Sequence, residues 1–194
     1  KSGPPVTVAA HAPATGYTFS GWSSDDAATS DGTFTMPAEA VTITGSFTAN
    51  TNTAYKVEHY QQNLDGTYPT EASETENLTG TTGTEATATP KTYAGFTYDP
   101  DVEGTVASGI IAADGSLVLK LYYTRNSYLV KYQYTGTVPS DATPLPGEQT
   151  CKYGATVTVA EAAAAQGYTF SGWSTTDATI STGTFTMPAK AVTI

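Results

Sequence analysis

The stretch DPDVEGTVASGI places Asp99, Asp101 and Glu103 at alternate positions ahead of Gly104. That is the start of a calcium loop, where positions one, three and five supply oxygens and a glycine makes the turn. The twelfth position, which requires a bidentate glutamate, is Ile110, and Pro100 interrupts the run. The segment therefore reads as a solvated acidic turn. The chain's two histidines, His11 and His59, have no cysteine or acidic partner at ligand spacing, so no zinc site is expected. Cys151 is the only cysteine, which rules out an intrachain disulfide. Lys152 is its one cationic neighbour in sequence, too little to mark a reactive thiol. No cluster of titratable groups suited to acid–base or nucleophilic work can be assembled. Neither catalysis nor a cofactor is expected.

The feature that stands out is a repeat. GYTFSGWS occurs at Gly16 and again at Gly167, and the two copies hold the chain's only tryptophans, Trp22 and Trp173. The match extends well beyond eight residues. From Gly16 to Ile43, 22 of 28 positions are identical to those 151 residues later. One unit has been copied. The motif holds no carboxylate, histidine, cysteine or lysine. Its rings read as a small core: Tyr17, Phe19, Trp22, Phe34 and Met36 in the first copy, and Tyr168, Phe170, Trp173, Phe185 and Met187 in the second. Trp often lies partly exposed, so a stacking platform for sugar rings is the functional alternative.

These residues must be carried by strands. About a fifth of the chain is threonine, and Tyr (13) outnumbers Phe (6), a composition suited to pleated, half-buried surfaces. Between the copies, AYKVEHY alternates Tyr55, Val57 and His59 with Lys56, Glu58 and Tyr60. LVLKLYY places Leu117, Leu119, Leu121 and Tyr123 on one face. NSYLVKYQY opens the next module in the same way, with Tyr128, Val130, Tyr132 and Tyr134 aligned. The single helix candidate is Ala160–Gln166, for which one turn or none is expected. Boundaries at residues 50 and 126 give three modules, 1–50, 51–126 and 127–194. The fold class expected is mainly β, α+β at most. The architecture expected is tandem small β-grasp-like modules in a linear array.

The copies are cut out of phase. The strand before the second copy has no counterpart ahead of the first, and TGSFTAN after the first has none after the second. An unpaired edge is therefore expected in each terminal module, completed by a neighbouring molecule or frayed. Both ends look like cuts from a longer chain.

Net charge is -10, which disfavours nucleic acid and anionic membrane surfaces as partners. No apolar run approaches the ~20 residues of a membrane-spanning helix, so membrane insertion is not expected.

GATVTVAEAAAAQGYTFSGWSTTDATISTGTFTMPAKAVTI, with its G-Y-T-F-x-G-W core and following FTMPA, resembles the internalin-type B repeat of the Listeria–Bacteroides family. The segment from YKVEHYQQNLDGTY to LVLKLYYTRN resembles MucBP-like repeats. These resemblances imply β-grasp-like, non-enzymatic modules in an extracellular, cell-wall-anchored surface protein of a Gram-positive bacterium. The implied role is a stalk or adhesin segment, with neighbouring repeats of the same protein as partners. The alternative is a module binding a host glycan or glycoprotein, with Tyr122, Tyr123, Tyr128, Tyr132 and Tyr134 as contact candidates. Lysine–asparagine cross-links occur in such adhesins. Lys56 and Lys131 would be the lysines, with Asn126 or Asn77 as partners.

Overall fold

The computed structural model describes residues 3–11, 13–30 and 32–194. These residues form strands, turns and loops, with no helix among them. The mainly-β expectation holds. Ala160–Gln166 stays extended because its backbone groups are taken elsewhere. Thr143 donates its N–H to Ala164 O at 2.9 Å, and the Ala164 N–H returns to Thr143 Oγ1 at 2.9 Å. The Gln166 N–H goes to Asp141 Oδ2. A helix would need those same groups for its own ladder.

The first copy holds β1 (Pro5–Thr7), β2 (Tyr17–Phe19), β3 (Thr33–Thr35) and β4 (Phe47–Ala49). β1 pairs antiparallel with β3, Val6 opposite Phe34, and β2 pairs antiparallel with β4, Phe19 opposite Phe47. The middle segment holds β5 (Thr53–Gln61), β6 (Glu74–Gly80), β7 (Glu85–Thr87), β8 (Phe96–Tyr98), β9 (Ser108–Ile110) and β10 (Val118–Arg125). One sheet runs in the order β6-β5-β10-β8, and β7 pairs with β9. The second copy holds β11 (Ser127–Lys131), β12 (Gln149–Lys152), β13 (Thr156–Thr158), β14 (Thr184–Thr186) and β15 (Val192–Thr193). β13 and β14 repeat the β1–β3 pair, with Val157 opposite Phe185. β11 lies between β12, antiparallel, and β15, parallel. The first strand of the second copy thus pairs with the last one described, β15.

The chain clusters into two compact units. The first comprises residues 1–57, 75–88 and 106–119, and the second residues 58–74, 89–105 and 120–194. In the first unit, Phe34, Val57, Ala86, Ala88, Ile111 and Leu119 are buried. The N–H of Thr82 reaches Asn50 O, and a Cβ on Gly16 would run into Ala113 and Thr82, which ties the first copy to residues 75–88 and 106–119 of the same unit. In the second unit, Tyr60, Leu121 and Tyr123 are buried, and Val130, Tyr132, Val157, Phe185, Met187, Val192 and Ile194 form one core cluster.

The two copies differ where their strands differ. Met187, Val192 and Ile194 are buried beneath β11, whereas Met36, Val41 and Ile43 are only partly covered. Among the described residues, no strand stands over the first copy as β11 does over the second.

A carboxylate brace recurs in both copies. Asp26 Oδ2 accepts from the Thr42 N–H at 2.8 Å, and Asp177 Oδ2 from the Thr193 N–H at 3.1 Å. Asp177 Oδ1 also accepts from Lys190 Nζ at 2.8 Å. The Lys190 hydrogen bond, then the Thr193 N–H, hold the Asp177 carboxyl below the ordinary aspartate value of 3.8. A carboxyl whose pKa is depressed by folding stabilises the fold above its unfolded value and ceases to as pH falls through the folded one. Asp177→Asn should therefore melt below the parent chain at neutral pH. The gap should close as pH drops below 3.8. Thermal unfolding followed by circular dichroism across that range checks this; a gap independent of pH would contradict it.

Candidate functional site

The repeated motif forms the same local structure in both copies. Gly21 and Gly172 have φ of 86° and 100°, a left-handed bend that returns the tryptophan over the phenylalanine two residues before the glycine. The Phe19–Trp22 rings meet edge-on at 5.0 Å and 71°, and Phe170–Trp173 at 4.9 Å and 68°. Each indole N–H donates to a carbonyl of the preceding loop, Trp22 to Ala9 O at 2.7 Å and Trp173 to Glu161 O at 2.9 Å. The polar edge of each indole is thus satisfied within its own module.

The surroundings diverge. In the first copy β4 lays Phe47 against Phe19 at 5.0 Å, and His11 stacks on Phe19 at 4.7 Å. In the second copy Tyr132 meets Trp173 edge-on at 4.9 Å and Tyr134 stacks on it at 5.6 Å. Among the described residues no strand lies beside Tyr168–Phe170. A groove of about 240 Å³ opens there, lined by Tyr134, Val138, Tyr168, Phe170, Trp173 and Ile194 among others. It contains aromatic faces and unpaired backbone, with no titratable cluster among its lining residues.

Several sequence-derived placements require correction. Phe34, Phe185 and Met187 are buried, and Phe19, Met36, Phe170 and Trp173 are half-buried. Tyr17, Trp22 and Tyr168 were expected in the core but are 40%, 39% and 60% exposed. A two-stranded ribbon of three-residue strands has no opposing layer to cover both faces of its rings. Tyr168 lacks even the adjacent strand.

The tyrosine set considered for sugar contact does not form one face. Tyr122 and Tyr123 point to opposite sides of β10. Tyr123 is 1% exposed, its hydroxyl between His59 Nδ1 at 2.8 Å and the Lys91 N–H at 3.0 Å. Tyr132 is also buried, and its hydroxyl accepts from the Ala160 N–H. Neither ring can meet a ligand. Tyr122 is half-buried, stacked on Tyr60 at 4.8 Å with Tyr68 edge-on at 5.0 Å. Burial and a hydrogen bond to Glu58 push the Tyr60 phenol well above its usual range. Tyr128 is half-buried against the second copy's core. Tyr134 alone of the five lines the groove, its hydroxyl donating to Thr143 O at 2.6 Å.

The remaining candidates are occupied by local structure. Ile110 ends β9 opposite Glu85, and Asp99 Oδ1 accepts from the Asp101 N–H in a tight turn. Lys56 and Lys131 are exposed, where nothing desolvates an amine into a nucleophile. The Asn126 carboxamide accepts from Thr97 Oγ1. Cys151 packs against the second copy's core, opposite Tyr128 on β11.

A family model described as the divergent InlB B-repeat domain matches residues 1–51 and 132–194. The chain belongs to that family. The match covers both copies of the motif and leaves residues 52–131 outside it. It marks the chain as a repeat of the bacterial surface type. No curated protein and no solved structure matches the chain.

Aromatic contacts of this kind contribute ~0.5–1.5 kcal/mol beyond area burial. Trp173 has three such partners and Trp22 one. Trp173→Ala should therefore cost about 1–2 kcal/mol more stability than Trp22→Ala in urea unfolding. Equal losses would contradict the added role of Tyr132 and Tyr134.

Proposed function

We propose that the chain is a non-catalytic stalk or adhesin segment of a cell-wall-anchored surface protein. Two B-repeat modules, at 1–50 and 127–194, would flank a MucBP-like module at 51–126. The observation that carries this reading is the recurrence, 151 residues apart, of one internally satisfied device. Each tryptophan is held by its own loop carbonyl and its own phenylalanine, and each aspartate by a backbone N–H of its own module. Residues repeated for chemistry would present reactive atoms outward. These are spent on holding the chain.

The end of the middle segment supports a mechanical role. Within the second unit, Arg125 Nε donates to Gln62 O and Nη1 to Tyr153 O, both at 2.9 Å. Its guanidinium lies 4.7 Å over Phe96 and 5.9 Å over Tyr153. Lys152 Nζ reaches Leu64 O at 3.0 Å. Gly95, with φ of 78°, sits so close to the Tyr153 ring that any side chain would collide with it. Within the second unit, residues 58–74, 89–105 and 120–126 are thus joined to the following repeat by packing and hydrogen bonds as well as by the chain itself. A spacer transmits force best through such junctions.

Glycan binding is the second reading, favoured by one observation: Tyr168 lies open in a groove that also holds Trp173 and Tyr134. An array of mucin-type and host surface glycans separates the two. The stalk reading predicts no saturable binding. Binding that disappears in both Tyr168→Ala and Tyr134→Ala chains would replace it with the second.

A further inference from the structure

The first copy and the middle segment close in the same way. Asn50 follows β4 and Asn126 follows β10. β4 pairs with β2 and β10 with β8 in one antiparallel register, Thr18 opposite Thr48 and Thr97 opposite Thr124. β2 and β8 begin after Gly16 and Gly95, in GYTF and GFTY, so each strand reads aromatic, threonine, aromatic. On this shared frame each asparagine makes three matching hydrogen bonds. Its N–H donates to the glycine carbonyl, Asn50 to Gly16 O at 2.8 Å and Asn126 to Gly95 O at 2.9 Å. Its Oδ1 accepts from the threonine, from Thr18 Oγ1 at 2.7 Å and from Thr97 Oγ1 at 2.8 Å. Its own carbonyl accepts from the segment that follows, from the Thr82 N–H at 2.9 Å and from the Tyr153 N–H at 2.8 Å.

The receiving residues correspond as well. Thr82 and Tyr153 each stand before a glycine, Gly83 and Gly154, both with φ of 78°. Those glycines bond inside their own segment, the Gly83 N–H to Ile111 O and the Gly154 N–H to Met187 O, both at 2.9 Å. A bare glycine on the other side admits this turn. A Cβ on Gly16 would lie 2.9 Å from Thr82 Oγ1, and one on Gly95 would enter the Tyr153 ring. The two junctions have no residue in common, and Thr82 and Tyr153 differ in side chain. Their common geometry therefore comes from the glycine, threonine and asparagine, which are the same at both.

We propose that Gly16, Thr18 and Asn50, and again Gly95, Thr97 and Asn126, form one recurring docking surface whose partner is the glycine turn of the module that follows. The threonine hydroxyl holds the asparagine side chain, and this fixes the asparagine carbonyl in line with the incoming N–H. The glycine leaves room for the turn to approach. The surface couples each module to the next. It does so whether the chain spaces or binds, so its failure would leave both readings of function standing.

Site-resolved amide exchange on the full chain tests this, because it reads local opening bond by bond. The Thr82 and Tyr153 amides report the junctions. The adjacent Gly83 and Gly154 amides report bonds inside the following modules. Asn50→Ala should speed exchange at Thr82 by about fivefold, the worth of one neutral hydrogen bond, and leave Gly83 unchanged. Asn126→Ala should do the same at Tyr153 and spare Gly154. Thr18→Val and Thr97→Val should reproduce these effects, each at its own junction. Asn50→Asp and Asn126→Asp keep the accepting oxygen and should keep the protection. Unchanged exchange at Thr82 and Tyr153 in the alanine variants would overturn the proposal, and so would an effect at one junction only. Equal loss at Gly83 and Gly154 would also overturn it, since the module as a whole would then have loosened. Aspartate variants that behave as the alanine ones do would count against it in the same way.

Discussion

A ring in this chain is hidden from water only if a strand from elsewhere in its module lies over it. The sheets of the two copies have two or three strands, most of them three residues long, and their surfaces are rich in threonine. Such ribbons cannot bury a side chain between two layers of their own. One strand more or less therefore decides whether the same residue is core or surface. Met187 is fully buried beneath β11, while Met36, identical in sequence context, is partly open. Tyr17 is shielded on one side by β4 and Tyr168 by nothing comparable.

The middle segment meets the same constraint with longer strands. β5 and β10 have nine and eight residues and lie side by side at the centre of their sheet. Leu119, Leu121 and Tyr123 are buried as a row on one face of β10. Two of the polar pairs taken into that interior are the His59 imidazole with the Tyr123 hydroxyl at 2.8 Å and Thr53 with Thr82 at 2.6 Å, while the Tyr68 hydroxyl is buried without a hydrogen-bond partner among the described residues. The low dielectric that makes an unpaired polar group costly also strengthens these bonds. Tyrosine, with one apolar ring and one polar tip, suits a chain that has few purely apolar aromatics.

Much of this was legible in the residues. The alternation in AYKVEHY and LVLKLYY announced β5 and β10, and the copied unit announced one local motif formed twice. Burial of individual rings was not legible. Alternation puts Tyr17 and Phe19 on one face but does not say whether anything covers that face. Nor could adjacency reveal that Tyr122 and Tyr123 have opposite fates, one stacked on Tyr60 and the other sealed against His59. The role of Arg125 is not legible in sequence because its partners, Gln62 and Tyr153, are remote in the chain and become neighbours only after folding.

The central claim is that the repeated motif is a packing device whose state is set by the strand beside it. Site-resolved amide exchange on the isolated chain tests this most directly, because Ser20 and Ser171 sit in identical sequence and differ in their cover. The account predicts a protected Ser20 amide, bonded to Ser46 O, and a Ser171 amide exchanging near the rate of an open chain. Equal protection at the two positions would contradict it.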